Sequence, residues 1–441
     1  MSSENALYNP IFNDAWEQFS LHELAGWKNG IAFKNNYFCN EGKPVIKIAE
    51  LKNGISDQTK YSDQTFDSAY YLTKKDLLFS WSGSPETSID VFWYDLPDGW
   101  LNQHIFKVTP FDKVTKDYMF YVLKYLKPIF IEIAKNKQTT GLGHVTMTDL
   151  KNILVRIPKN NEQRAIAATL SALDDKIELN NRINKTLEEM AQALFKRWFV
   201  DFEFPDENGQ PYKSSGGEME ESELGLIPKG WTIVTLREIS EKISKGTTPT
   251  NKEISQAEDQ CSIYFMKVKD ISDTGCINVA DMERIPLSIH EGILKRSILQ
   301  TDDVLVSIAG TIGRVAILPP ELSNSNSNQA IAFIRLKCGY HIIGEFVRLL
   351  LRTDRVQNTF QSRIVQGVQP NLSLTEIGNL KFALPNKSVI DVWNEIGISI
   401  GSYRRFNEQE ITNLSALRDA LLPKLMSGEI RVPIEEVAAD V

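Results

Sequence analysis

EQRAIAATLSALDDKIELNNRINKTLEEMAQALFKRWF, residues 162–199, decides the architecture of this chain. The stretch has no Gly and no Pro and is rich in strong helix formers, so nothing in it interrupts a helix. Counting in sevens from Ile166 gives Leu173, Asn180, Leu187 and Leu194; counting from Leu170 gives Ile177, Asn184, Ala191 and Trp198. All but the two asparagines are apolar, which is an a/d seam sustained along the whole stretch. At ~1.5 Å per residue the helix would be roughly 55 Å long. A helix of that length with one apolar seam needs a partner.

The partner is encoded in the same chain. Thr148-Asp149-Leu150-Lys151-Asn152, running on to Pro158, realigns on Thr375-Glu376-Ile377-Gly378-Asn379, running on to Pro385, at an offset of 227 residues (375 − 148). The offset persists without a gap, so that Asn180 falls on Asn407, Leu187 on Leu414 and Leu194 on Leu421. In the second copy Trp393, Ile400, Asn407, Leu414 and Leu421 keep the seam, joined by Ile411, while Gly397, Arg404 and Arg418 interrupt it. A seam asparagine costs stability but fixes register and helix number. The repeat is one scaffold written twice.

Composition places the chain among ordinary globular proteins, with 42% hydrophobic and 24% charged residues over 441 positions. That length suggests roughly three domains. No apolar run reaches transmembrane length, and the N-terminus lacks a basic-then-apolar signal, so no membrane association is expected. Cys39, Cys261, Cys276 and Cys338 are scattered without metal-binding spacing, which fits free thiols in a reducing, cytoplasmic setting. The net charge of −8 argues against indiscriminate nucleic-acid binding but leaves room for local basic grooves.

In chain order, residues 1–15 form a lead-in and 16–158 a first mixed segment. Within that segment 44–48 and 76–80 read as strands and 118–133 as a helix with a break at Pro128. The long helix occupies 159–201, and a linker rich in turn residues follows over 202–230. A second mixed segment spans 231–385, a second long helix 386–428, and a tail 429–441. The mixed segments agree at landmarks: Ile46 to Leu51 resembles Met266 to Ile271, Asp76 to Gly83 falls on Asp303 to Gly310, and Asn102-Gln103 sits near Asn328-Gln329. Between landmarks the residues differ freely. One scaffold carrying two sets of loops suits a protein that reads two different things.

The run 162–201 together with the linker sequence FPDENGQPYKSSGGEM at 204–219 resembles the specificity subunits of type I restriction–modification enzymes, and the resemblance extends over essentially the whole chain. It implies an α+β fold with two mixed α/β target-recognition domains separated by two long helices, which form an antiparallel coiled coil with an internal pseudo-two-fold repeat. It also implies a non-catalytic subunit in which each domain reads one half of a gapped double-stranded DNA site. Methyltransferase subunits, two of them, would dock on the helices and methylate adenine with S-adenosylmethionine. Up to two restriction subunits would add ATP- and magnesium-dependent cleavage. No cofactor or metal would be held by this chain itself. The second copy departs from the first at Pro423, which stands where the first has Lys196, so the two helices are expected to make unequal partner contacts.

Candidate DNA-contacting residues are polar or basic side chains in turn-rich segments, since Arg or Lys pairs with guanine and Asn or Gln with adenine. In the first mixed segment these are Lys47, Trp81, Ser82, Ser84, Lys137, Gln138, Thr139, Thr140 and His144. In the second they are Lys245, Thr247, Thr248, Lys267, Lys269, Thr311, Arg314, Arg363, Gln366 and Gln369. Lys47 and Lys267 each precede an acid by three residues, so they either touch phosphate or pair with Glu50 and Asp270. The plainer reading of such loops is that they turn the chain and solvate their charges.

Catalytic readings find little support. Asn9-Pro10-Ile11-Phe12 resembles the target-base loop of adenine methyltransferases, but it follows no strand and no glycine-rich cofactor loop precedes it. Glu50-Leu51-Lys52 is half of a nuclease metal site without the upstream strand-borne Asp, Gly141-Leu142-Gly143 stands alone, and no P-loop is present. The competing non-enzymatic reading is a scaffold that kept the helices and lost DNA recognition.

Overall fold

In a computed structural model the described residues are 12–138, 141–340, 342–364 and 371–433. The chain divides into two compact units, 1–177 with 412–441 and 178–411, so each unit takes one mixed segment and one half of each long helix. The first long helix runs Asn160–Phe199 and the second Lys387–Ser427. None of the helices among the described residues is long and apolar enough to cross a membrane.

Both mixed segments are built on the same two sheets. In the first unit a four-stranded antiparallel sheet has the order Ala25–Asn29, Ile105–Pro110, Leu77–Ser80, Asp90–Trp93. In the second unit the order Ser240–Lys245, Ile331–Leu336, Val304–Ser307, Val315–Ile317 repeats it strand for strand. The central strands Leu77–Ser80 and Val304–Ser307 are buried along their whole length, which is why they read as continuous apolar runs. Beside each sheet lies a parallel pair, Lys43–Ile46 with Gly99–Leu101 and Cys261–Met266 with Asn326–Ser327.

Identical turns support these strands. Lys75 and Asp302 both take a left-handed φ, of 68° and 65°. In each copy the next residue is an aspartate that accepts from the backbone three residues before it: Thr73 N donates to Asp76 at 2.9 Å and Gln300 N to Asp303 at 2.8 Å. Each aspartate also pairs with a cation from the neighbouring strand, Lys107 on Asp76 at 2.8 Å and Arg335 on Asp303 at 2.7 Å.

Two sequence expectations change. The helix Lys116–Asn136 passes through Pro128 unbroken, because its burial along Tyr118 to Ala134 outweighs one missing N–H bond. The 202–230 stretch is not a mere linker. It folds into a hairpin of Met219–Ser222 and Gly225–Pro228, and it buries Phe204 and Ile227, with Phe204 stacked between Tyr212 and Trp231. Turn composition concealed a small core.

The helix halves run antiparallel in each unit. In the first unit Ile166 and Leu170 are fully buried with Leu425 and Met426, while Leu173, Ile177, Leu414 and Leu421 are half-buried. Arg418, which breaks the heptad pattern, meets Asp174 at 2.9 Å, and the same carboxylate accepts from Tyr121 at 2.8 Å. In the second unit Trp198 is buried beside Trp393, and Leu187, Leu194, Ile400 and Ile411 are half-buried. Here the seam asparagines pair with new partners: Asn407 donates to Asn184 at 2.8 Å, Asn184 to the Arg404 carbonyl at 3.4 Å, and Asn180 to Glu410 at 2.7 Å.

The other apparent breaks are also filled. Gly397 is buried where an added Cβ would lie 3.2 Å from the tip of the Ile343 side chain, so a larger residue would require that side chain to shift. Arg404 enters a buried ionic cluster around Glu188, whose carboxylate meets Arg348 at 2.8 Å, Arg404 at 2.9 Å and Arg352 at 3.0 Å. Glu345 braces Arg348 from the other side at 2.6 Å. Burial alone would raise the Glu188 pKa, but the three guanidinium groups outweigh it and hold the carboxyl down to about 2 from an ordinary 4.5.

A carboxyl whose pKa falls on folding stabilises the fold above its unfolded pKa and loses that contribution as pH falls through the folded one. Thermal melts should therefore show the Glu188 contribution intact above about pH 4.5 and lost on descent towards about pH 2. Glu188→Ala at pH 7, which strands buried arginines, should cost about 3–5 kcal/mol in denaturant unfolding. Glu188→Ala unfolding at the wild-type denaturant concentration would contradict the assignment.

Candidate nucleic-acid interface

The loops at one end of each four-stranded sheet are held by the same set of backbone bonds. In the first unit Gly30 N donates to Ile105 O at 3.2 Å and Ile31 N to Leu101 O at 2.9 Å; in the second Gly246 N donates to Ile331 O at 3.0 Å and Thr247 N to Ser327 O at 3.1 Å. Asn102 N reaches Ile46 O at 3.1 Å, and Asn328 N reaches Met266 O at 3.0 Å. Each asparagine then closes its own turn. Its carbonyl accepts from Ile105 N or Ile331 N, both at 3.2 Å. Its side-chain oxygen accepts from His104 N at 3.4 Å or Ala330 N at 3.2 Å.

Glycine is required in the facing strand because the chains approach so closely. A Cβ on Gly30 would sit 2.2 Å from Asn102 O, and one on Gly246 only 2.0 Å from Ser327 O. The loop after the buried central strand is repeated as well. Ser80 accepts from Asp90 N at 3.0 Å and Ser307 from Arg314 N at 2.8 Å, while each hydroxyl donates to a carbonyl of its own loop. The result in each unit is a rigid rim on which side chains can differ without moving the frame.

In the first unit this rim gathers Trp81, Ser82 and His144 from the sequence candidates. Ser82 pairs with His144 across a short ladder, and Val145 N donates to Trp81 O at 2.8 Å. The Trp81 indole donates to Asn29 at 3.0 Å, stacks on Phe106 at 5.5 Å and lies 5.9 Å from the His104 ring. Lys47 directly follows Ile46, whose carbonyl holds the Asn102 turn. The acid three residues on does not pair with the lysine ammonium; Glu50 accepts instead from Lys47 N at 3.0 Å, and the ammonium lies 5.5 Å over the Phe38 ring.

Other first-unit candidates are engaged in local structure. Ser84 is exposed, and its carbonyl starts the short helix Pro85–Ser88. Lys137 follows the helix Lys116–Asn136 and pairs with Asp149 at 2.6 Å. Gln138 donates to Gly141 O at 2.6 Å. Thr139 and Thr140 lie outside the described residues.

In the second unit the rim gathers Lys245, Thr247 and Thr248, all exposed, with the Thr248 hydroxyl donating to the Gln329 amide oxygen. Lys267 mirrors Lys47: Asp270 accepts from its backbone N at 2.8 Å, while its ammonium pairs with Glu283 at 2.5 Å. Lys269 and Thr311 are exposed, and the Thr311 carbonyl accepts from Ser307 at 2.6 Å. Arg314 is the candidate most fully consumed by the scaffold. It pairs with Asp273 at 2.7 Å and donates to the carbonyls of Ile271 at 2.8 Å and Val268 at 3.2 Å. Arg363 lies in the helix Asp354–Ile364, and Gln366 and Gln369 lie outside the described residues.

The rim also holds polar residues absent from the sequence candidates: Asn29, Gln103 and His104 in the first unit, Asn328, Gln329 and Asn371 in the second. Asn371 bridges Ala309 as His144 bridges Ser82. The recurrence of Asn-Gln in both copies pointed to Gln103, Asn328 and Gln329, and no sequence signal pointed to the others. Chemically the rims offer amides, hydroxyls, an imidazole and flanking lysines, the groups that read base edges and phosphates. Among the described residues no group of three or more His, Cys, Asp or Glu side chains could hold a metal ion.

Two variants separate frame from readout. Gly246→Ala forces its methyl onto Ser327 O and should destabilise the second unit by about 1–3 kcal/mol in denaturant unfolding. Arg314→Ala removes two carbonyl bonds and an ion pair, so it should cost about 1–2 kcal/mol of stability. Arg314→Ala with unaltered stability would return that residue to the readout set.

The model of the type I restriction modification DNA specificity domain matches the chain twice, at residues 13–189 and 228–392. The specificity subunit of the type I restriction enzyme MjaIX of Methanocaldococcus jannaschii is 28% identical over 347 residues, 75% of this chain and 73% of that protein. The specificity subunit of EcoBI from Escherichia coli is 26% identical over 437 residues, covering 95% of this chain and 87% of its own. The solved S subunit of a type I restriction-modification system from M. genitalium shares the fold, with a TM-score of 0.54 at 17% identity over 95% of this chain and 98% of that one. With two family matches, each laid over one mixed segment and a stretch of helix, the chain belongs to the type I restriction modification DNA specificity family.

Proposed function

We propose that this chain is the non-catalytic recognition subunit of a type I restriction–modification complex, each mixed segment reading one half of a bipartite DNA site. The observation that carries this is the rim: one hydrogen-bonded frame built twice, bearing Trp81, His104 and His144 in one copy and Ala330 and Asn371 in the other, where buried Ile308 takes the place of Trp81. Equal frames with unequal side chains fit two half-sites of unequal sequence. Lys47, together with Lys267 on exchanging Glu283 for a phosphate, flanks the frame as a phosphate-side group, so affinity should fall steeply with salt.

In this reading the paired long helices set the gap between half-sites, near one turn of DNA (~34 Å) or a multiple. Their outer faces, with Met190, Tyr403 and Phe406 exposed, are where methyltransferase subunits dock. Two such subunits would methylate adenine with S-adenosylmethionine, and up to two restriction subunits would cleave using ATP and magnesium. The complex would work in the cytoplasm, where DNA and these cofactors meet.

The test is an N6-methyladenine map of cells expressing this chain with its methyltransferase subunit, against cells lacking this chain. A gapped two-part motif should appear only when the chain is present, and exchanging residues 16–158 for those of a relative should change one half alone. An unchanged map from an assembled complex would favour a scaffold without a target. Inserting one heptad after Ile177 and another after Ile411 adds roughly 10 Å of paired helix, or about three base pairs. The methylated motif should keep both halves and gain that much gap; an unaltered gap would sever the helices from spacing.

A further inference from the structure

The repeated turn contains a residue that the scaffold does not explain. In Asn102-Gln103-His104-Ile105 and Asn328-Gln329-Ala330-Ile331 the asparagine closes the turn in both copies, and the isoleucine enters the core at 0% exposure in both. The glutamine does neither. Gln103 is half-buried, with its Nε2 3.2 Å from Nε2 of His104. Gln329 is exposed, and its amide oxygen accepts from Thr248. His104 and Thr248 are not equivalent residues: one lies inside the turn itself, the other on the facing strand end. The side-chain partner has changed while the glutamine has not, so neither partner dictates it.

A group kept identical on two surfaces that otherwise differ serves something that both half-sites share. Under the function proposed above, on which this inference rests, the half-sites share a phosphate backbone and an adenine to be methylated. Phosphate calls for a cation, and a carboxamide is neutral. A neutral carboxamide has a donor and an acceptor side by side, which matches the N7 acceptor and N6 donor on the major-groove edge of adenine.

We infer that Gln103 and Gln329 are specificity-determining residues that read the target adenine, one in each half-site. Nε2 donates to adenine N7 and Oε1 accepts from the N6 amino group before the base leaves the stack for methylation. The rigid Asn turn fixes where each amide stands. Trp81 and His104 in the first unit, and Thr248 and Asn371 in the second, then read the flanking bases that differ.

The experiment uses the complex of the full chain with its methyltransferase subunits and a duplex bearing the motif found by methylation mapping. In one half at a time the target adenine is replaced by 7-deazaadenine, which lacks the N7 acceptor. The wild-type complex should lose about tenfold in affinity for either replacement, in the range of a lost base-edge pair. Gln103→Ala should bind the normal duplex about tenfold more weakly and be indifferent to the replacement in one half, while remaining sensitive in the other. Gln329→Ala should show the mirror pattern. Gln103→Glu and Gln329→Glu keep the side-chain length on the same turn but set an acceptor-only carboxylate against N7, so in a folded protein they should weaken the normal duplex and lose no further affinity on the deaza replacement. Full deaza sensitivity in the variants, or equal weakening on a duplex with that half scrambled, overturns the inference while leaving DNA reading intact. Absence of any two-part adenine motif in the mapping step sinks the DNA-reading function, and the inference with it.

Discussion

Glu188 is the point on which the second unit is fastened. Its side chain is 7% exposed and faces Arg348, Arg352 and Arg404, which come from the helix Gly344–Leu351, the residue just after it, and the second long helix. Taking that carboxylate out of water costs several kcal/mol, a cost that burial in the midst of guanidinium groups can offset. A hydrophobic seam can slide by a turn with little penalty. A buried carboxylate with three specific partners cannot, because any shift leaves an ion without its counter-ion. Register is therefore fixed by charge as well as by Asn184 and Asn407.

The first unit solves the same problem with different chemistry. At the offset of 227 residues Tyr118, Tyr121 and Tyr125 stand where the second copy has Glu345, Arg348 and Arg352. Tyr121 donates to Asp174, and burial together with that bond pushes its phenol pKa upward, so it stays a neutral donor beside the Asp174–Arg418 pair. The two locks are not interchangeable. Ile177, which the offset aligns with Arg404, could not answer Glu188. A chain made of two copies of one scaffold thus carries in its polar residues the information about which half pairs with which.

The long helices and their repetition were legible because they rest on periodicity and on a gapless offset, the mixed segments only at scattered landmarks, and the antiparallel pairing only through the family resemblance. What was not legible were the contents of apparent defects. Arg404, Arg418 and Gly397 read as breaks in a heptad pattern, since a one-dimensional pattern has no slot for a partner from another element. Pro128 read as a helix break because its local cost is visible while the burial around it is not. The 202–230 stretch read as a linker because Gly, Pro and Asn dominate it, although Phe204 and Ile227 carry its core.

Site residues were harder still, and the reason is specific. Trp81, Ser82 and His144 are separated by some sixty positions and meet only through the ladder between Ser82 and His144. Turn-rich composition marked Lys137 and Arg314 equally with Thr247 and Thr248, yet the first two are bound into ion pairs and the last two stand free of the scaffold's charges. Composition identifies where a chain turns; it cannot say whether a side chain on that turn is spent on holding it. The repeat can say so in part. At Asn102 and Asn328 identity is explained by the turn they close, and at Lys107 and Arg335 a change of residue preserves a function. Where identity persists although the side-chain partner changes, as at Gln103 and Gln329, the inference is that the constraint lies outside the chain. That makes an internal repeat an instrument for separating scaffold from readout, with each copy serving as the control for the other.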